Sequence, residues 1–120
     1  MKSILIVHQG AIGDFILSLP SLESIHHFYS QARFIFLGHP SVLSIVHSRP
    51  YFDSVLNCAD KRWAPFYNSK GKLETGAFDS LPPVDSIFAF CSSSSQPLVD
   101  NLASIYGKPA HRIDPFPEPD

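Results

Sequence analysis

Ile4-Leu5-Ile6-Val7-His8-Gln9-Gly10-Ala11-Ile12-Gly13-Asp14 is the stretch whose reading decides the fold. Its first four residues are branched and apolar without alternation, the pattern of a strand covered on both faces. After Asp14, Leu19, Leu22 and Ile25 form an apolar stripe at helical spacing. A strand therefore hands over to a helix across two glycines. Glycine allows a tight turn and close backbone approach, and the amino end of a helix offers unpaired amides with a partial positive charge. An oxyanion fits such a place.

Working outward, Arg33 to Leu37 and Asp85 to Cys91 repeat the buried-strand character, Ser54 to Cys58 is shorter, and His111 to Asp114 is weak. Helical patterns lie between them. The first is expected from Asp14 to about Tyr29, with Pro20 kinking it or displacing its regular part. A second runs from Pro40 to Arg49 with Val42, Ile45 and Val46 inward, stopping before Pro50. The third spans Ser95 to Tyr106, with Ser95 as cap, Pro97 in its first turn and Gly107 past its end.

Strand and helix alternating in this way predict an α/β fold: a Rossmann-like parallel sheet with helices on both faces, ligands lying beyond the carboxyl ends of the strands. Residues 1–114 are expected to form this one domain. Residues 115–120, Pro-Phe-Pro-Glu-Pro-Asp, read as a Pro-rich tail or the start of an interdomain connector. The stretch 59–83 interrupts the alternation and is expected to be a functional loop or to carry a short helix.

A net charge of -2 with 17% charged residues argues against nucleic-acid binding through bulk charge, so any anion recognition must be local. No apolar run approaches the ~20 residues that span a bilayer, and a cytoplasmic location is expected. Cys58 and Cys91, near strand ends, are expected as free thiols packed like small hydrophobes. None of the six histidines has convincing metal spacing with Cys or acid, so no metal and no cofactor are expected. The three-glycine dinucleotide fingerprint and the Gly-Lys-Ser/Thr phosphate loop are both missing.

Asp14 has two readings at this level. Aspartate is a preferred helix cap, worth ~1 kcal/mol. A carboxylate at the mouth of a cleft can also accept a proton from an attacking hydroxyl.

Residues 4–20, ending Gly13-Asp14-Phe15-Ile16-Leu17-Ser18-Leu19-Pro20, resemble the opening of the bacterial heptosyltransferases, glycosyltransferase family 9. Ala32-Arg33-Phe34-Ile35-Phe36-Leu37 and Tyr51-Phe52-Asp53-Ser54-Val55-Leu56 follow the spacing of that family, and the likeness thins beyond Cys58. The resemblance implies the N-terminal, acceptor-side half of an inverting GT-B glycosyltransferase of lipopolysaccharide core synthesis. In that scheme Asp14 is the general base, and His8, Gly10, Ala11, Ile12 and Gly13 contact the acceptor. Family members often carry Lys or Arg at the position of His8.

Lys61-Arg62-Trp63, followed by Phe66, Tyr67, Lys70 and Lys72, resembles the basic-aromatic loop that meets an anionic glycolipid acceptor. Arg clamps carboxylate or phosphate at two points, and Trp and Tyr suit a membrane-water boundary. The donor would be ADP-heptose or another nucleotide sugar, held by a missing C-terminal donor-binding domain without which the chain should be inactive. Work at the cytoplasmic face of the inner membrane would follow. The alternative is a stand-alone phosphate- or nucleotide-binding module without catalysis. A response-regulator receiver ranks lower, because the acidic pair after the first strand is missing.

Overall fold

The structure, a computed structural model, describes residues 2–67 and 81–114. β1 (Ser3–His8), β2 (Arg33–Gly38), β3 (Phe52–Asn57), β4 (Ser86–Phe90) and β5 (Ala110–Ile113) form one sheet in the order β3-β2-β1-β4-β5. Every pairing is parallel. This is the expected Rossmann-like α/β fold, and the weak fifth strand is present. β1 pairs along its length with β2, from Ser3 opposite Arg33 to His8 opposite Gly38. At that last position the backbones come so close that a Cβ on Gly38 would lie 2.1 Å from the His8 carbonyl oxygen, which only glycine avoids.

Side chains alternate across β1 into two cores. Ile4 and Ile6 join Phe34, Phe36 and Tyr51 on one face, under Phe15, Leu22 and Ile25 of α1 (Ile12–Phe28). Leu5 and Val7 join Ile35, Leu37, Ile87 and Ala89 on the other, under Leu98, Val99 and Leu102 of α3 (Gln96–Tyr106). Because both faces are covered, the strands read as unbroken apolar runs rather than alternating ones.

Three local expectations change. α1 starts at Ile12 and continues to Phe28 with Pro20 inside it, so the proline neither delays nor ends the helix. The segment from Pro40 is shorter than its sequence suggests: α2 covers Pro40–Leu43 and tightens to a 3-10 turn at Ser44–Val46. Leu43 and Val46 are its buried residues, while Val42 and Ile45 are half-buried. Ser95 occupies the N-cap of α3 but makes no side-chain cap hydrogen bond; the Ser92 and Ser94 hydroxyls bond each other at 2.7 Å instead.

Within 59–83, Lys61–Tyr67 forms a 3-10 segment. Trp63 and Phe66 bury their rings in the α3-side core, 1% and 0% exposed. Trp63 is thus a core residue and not the membrane-boundary aromatic that the sequence suggests. Cys58 and Cys91 are free, half-buried and packed against the same core. No described helix is long and apolar enough to cross a membrane.

Candidate functional site

β1 ends at the centre of the sheet, where the strand order reverses between β1 and β4. Crevices in such sheets open beyond the carboxyl ends on either side of that point. The turn Gln9–Ala11 sits over it. Gly10 N–H donates to His8 Nδ1 at 3.2 Å, and the Tyr67 hydroxyl donates to Gln9 Oε1 at 2.6 Å. A Cβ on Gly10 would lie 2.9 Å from His8 Cε1 and 3.2 Å from Asp14 Cβ, so glycine is required by contact, not by backbone angle. Among the described residues only Gly107 has a positive φ. At Gly13 an added Cβ would meet nothing within 4 Å among the described residues, which leave the start of α1 open on that side.

Asp14 is the third residue of α1, after the N-cap Ala11, and no side chain caps the helix. The capping explanation for Asp14 is therefore not realised. Asp14, half-buried, instead borders a cavity of about 130 Å³ lined also by Leu17, Ser18, Phe90, Ile113 and Asp114. A second cavity, about 330 Å³, is lined by Gln9, Gly10, Phe90, Cys91, Ser92 and Ser95. Phe90, at the carboxyl end of β4, borders both.

His8 lies below this turn, 2% exposed. Its ring meets Phe15 edge-on at 5.0 Å and stacks on Phe90 at 5.7 Å. Burial lowers its pKa from the usual value, and the negative charge of Asp14, followed by backbone contacts, pulls the other way. Nε2 is buried and has no hydrogen-bond partner among the described residues. Since Nδ1 accepts from Gly10, the neutral ring carries its proton on Nε2.

Of the remaining residues singled out by sequence, Ala11 and Ile12 are exposed at the start of α1, and Lys61 is exposed. Arg62 lies over the Trp63 ring at 5.1 Å and faces Asp60, with its charge also felt by Tyr106. The residue that this segment carries to the turn is Tyr67. Lys70 and Lys72 lie outside the described residues. No group of three or more His, Cys, Asp or Glu among the described residues could hold a metal.

Several parts of the site have no signal in the opening motif. Arg112 joins the rim by three contacts: Nε donates to Gln96 Oε1 at 2.9 Å, and Nη1 reaches the Cys91 carbonyl at 3.3 Å and Asp114 at 3.6 Å. Asp114 borders the Asp14 cavity just past β5. The rule that ligands gather at carboxyl ends of strands marks both positions once β5 is accepted as a strand.

A solved protein shares this fold. The crystal structure of the glycosyl transferase family 9 protein from Veillonella parvula superposes with a TM-score of 0.57 over 94% of the chain, at 15% sequence identity. The chain spans 36% of the length of that protein. No protein-family model matches the chain, and no curated protein does. At this identity the likeness concerns the fold: the chain is built like part of a family 9 glycosyltransferase.

Proposed function

We propose that this chain is the acceptor-binding half of an inverting glycosyltransferase of the family 9 type, with Asp14 as general base. The observation that carries the reading is the position of Asp14. It stands in the first turn of α1, makes no cap, and borders a cavity at the carboxyl ends of β4 and β5. There it removes the proton from an acceptor hydroxyl as the oxygen bonds to the anomeric carbon and the nucleotide diphosphate departs with the bonding electrons. Asp14 takes up the proton, and no covalent enzyme intermediate forms.

The rim suits a polar, partly anionic acceptor: Ser92, Ser95 and Gln9 offer uncharged donors, Arg112 a guanidinium, and the open start of α1 its amides. A heptose-containing lipopolysaccharide core, presented at the cytoplasmic face of the inner membrane, fits that description. Lys61 and Arg62 belong to this reading as outlying contacts for its anionic groups. The nucleotide sugar, ADP-heptose or a relative, is assigned to a second, donor-binding domain.

Calorimetric titration with an anionic inner-core oligosaccharide and, separately, with ADP-heptose tests the proposal. The oligosaccharide is expected to bind and ADP-heptose is not, and the two together give no sugar transfer. Asp14→Asn keeps acceptor affinity within about threefold, roughly 0.7 kcal/mol, since the base acts on the hydroxyl proton during transfer. Binding of ADP-heptose without binding of the oligosaccharide overturns the assignment, and turnover by the chain alone overturns its division into halves.

A further inference from the structure

We propose that His8 is a positioning residue: its neutral ring accepts the Gly10 amide proton and so fixes the turn that presents Asp14, and a proton on His8 releases that turn.

Among the described residues, the turn Gln9–Ala11 is held to the body of the protein by few bonds. Gly10 N–H donates to His8 Nδ1, the Tyr67 hydroxyl donates to Gln9, and the Ala11 carbonyl accepts the first helical bond, from Phe15 N–H at 3.0 Å. The His8 bond lies between the other two, at the point where the chain turns from β1 toward α1. It also works in one protonation state only. Neutral His8 has a lone pair on Nδ1; the imidazolium carries hydrogen on both nitrogens, so two donors would face each other 3.2 Å apart. The ring has no room to turn away, since it is 2% exposed and held between Phe15 and Phe90. A Cβ at Gly10 would meet Cε1 at 2.9 Å, so the turn rests directly on the ring.

The groups around His8 are set as follows. From α1, Asp14 is the charged neighbour and favours the imidazolium. β4 presents the uncharged Phe90, and β2 presents Gly38. Beyond Gly38, the His39 ring meets Cys58 Sγ at 3.5 Å. Asp114 borders the same cavity as Asp14 and is engaged by Arg112. Burial outweighs the Asp14 charge, which keeps the ring neutral and the turn fixed at neutral pH.

The consequence for Asp14 as base rests on the proposed function, whereas the dependence of the turn on His8 does not. Nuclear magnetic resonance on the whole chain separates them. The His8 ring is expected as the Nε2–H tautomer, and the Gly10, Ile12 and Gly13 amide signals are expected to move with its titration, at a midpoint below the ordinary histidine value. Asn at position 8 supplies an oxygen where Nδ1 stands and does not titrate. In His8→Asn the Gly10 signal should keep its neutral-pH position and lose its pH dependence.

In His8→Phe, Gly10 amide exchange should quicken by about tenfold, the scale of one lost hydrogen bond. Should that variant not fold, His8→Asn and the wild-type titration decide. Amide signals that ignore the His8 titration, or an unchanged pH profile in His8→Asn, overturn the proposal. A titrating turn in a chain that binds no oligosaccharide sinks the proposed function alone.

Discussion

A methyl group placed on Gly10 would collide with His8 Cε1 at 2.9 Å and crowd Asp14 Cβ at 3.2 Å, while the same methyl on Gly13 would enter open space. Gly10→Ala is therefore expected to destabilise by about 1–3 kcal/mol, the cost of overpacking against a buried ring. Gly13→Ala should stabilise by about 0.4–1 kcal/mol, since a helical position gains from a less flexible unfolded chain. Urea unfolding of the two variants checks both signs. Equal effects would mean that the turn relaxes around either side chain. The sequence shows two glycines three residues apart and predicts an anion-accommodating bend, but it cannot say which glycine is in contact. That depends on the ring of His8, a residue that the sequence presents as a ligand contact and the fold places in the interior.

Elements were legible where one face differs sharply from the other. α3 buries Leu98, Val99 and Leu102, begins near Pro97 and ends at Gly107 in the left-handed conformation, φ 61°. α1 is harder to read because Ile12, Ile16, Leu17 and Phe28 are exposed although apolar, which blurs its stripe. Two substitutions separate the ends of α3. Gly107→Ala should cost ~1–2 kcal/mol, because a Cβ strains a left-handed residue. Ser95→Ala should cost less than about 0.5 kcal/mol, below the usual loss of a cap, since the Ser95 side chain makes no cap bond. Thermal unfolding of each variant gives the comparison, and a larger loss at Ser95 would show that its hydroxyl caps after all. The 3-10 segment Lys61–Tyr67 was legible only as basic and aromatic. Its aromatics prove divided in role, with Trp63 and Phe66 anchoring the segment in the core and Tyr67 reaching Gln9. Trp63→Ala should cost about 3–5 kcal/mol through the cavity it leaves, and should loosen the turn at the same time.

At the scale of the whole molecule, uniform apolar strands separated by helices were enough to imply a parallel sheet covered on both faces, because few topologies satisfy that pattern. The second tier of the site was not legible. Arg112, paired with Asp114, meets Gln96 and Cys91 only after β4 and β5 lie side by side, a juxtaposition without local trace. Tyr51 shows the same long-range dependence within the core. It is 0% exposed, packs on Phe34 at 4.8 Å and reaches Glu23 of α1 at 3.5 Å, joining the helix layer to the loop before β3. Burial, with the Glu23 charge adding to it, pushes its pKa from 10.0 up to about 12. The folded protein thus holds the phenolic proton more tightly than the unfolded chain does. The resulting stability is present below pH 10 and is lost as pH rises from 10 through about 12. Tyr51→Phe removes this contribution together with a long hydrogen bond. The wild type should therefore be the more stable protein at pH 8, and its advantage should shrink above pH 10, where ionising Tyr51 must strip a buried proton next to a carboxylate. Tyr67 and Tyr106 are shifted upward as well and add to the alkaline loss of both proteins equally, so the difference between wild type and variant isolates Tyr51. Guanidinium unfolding at a series of alkaline pH values measures it. A difference constant with pH would mean that Tyr51 titrates alike in both states and that the seam between α1 and the sheet is open to water.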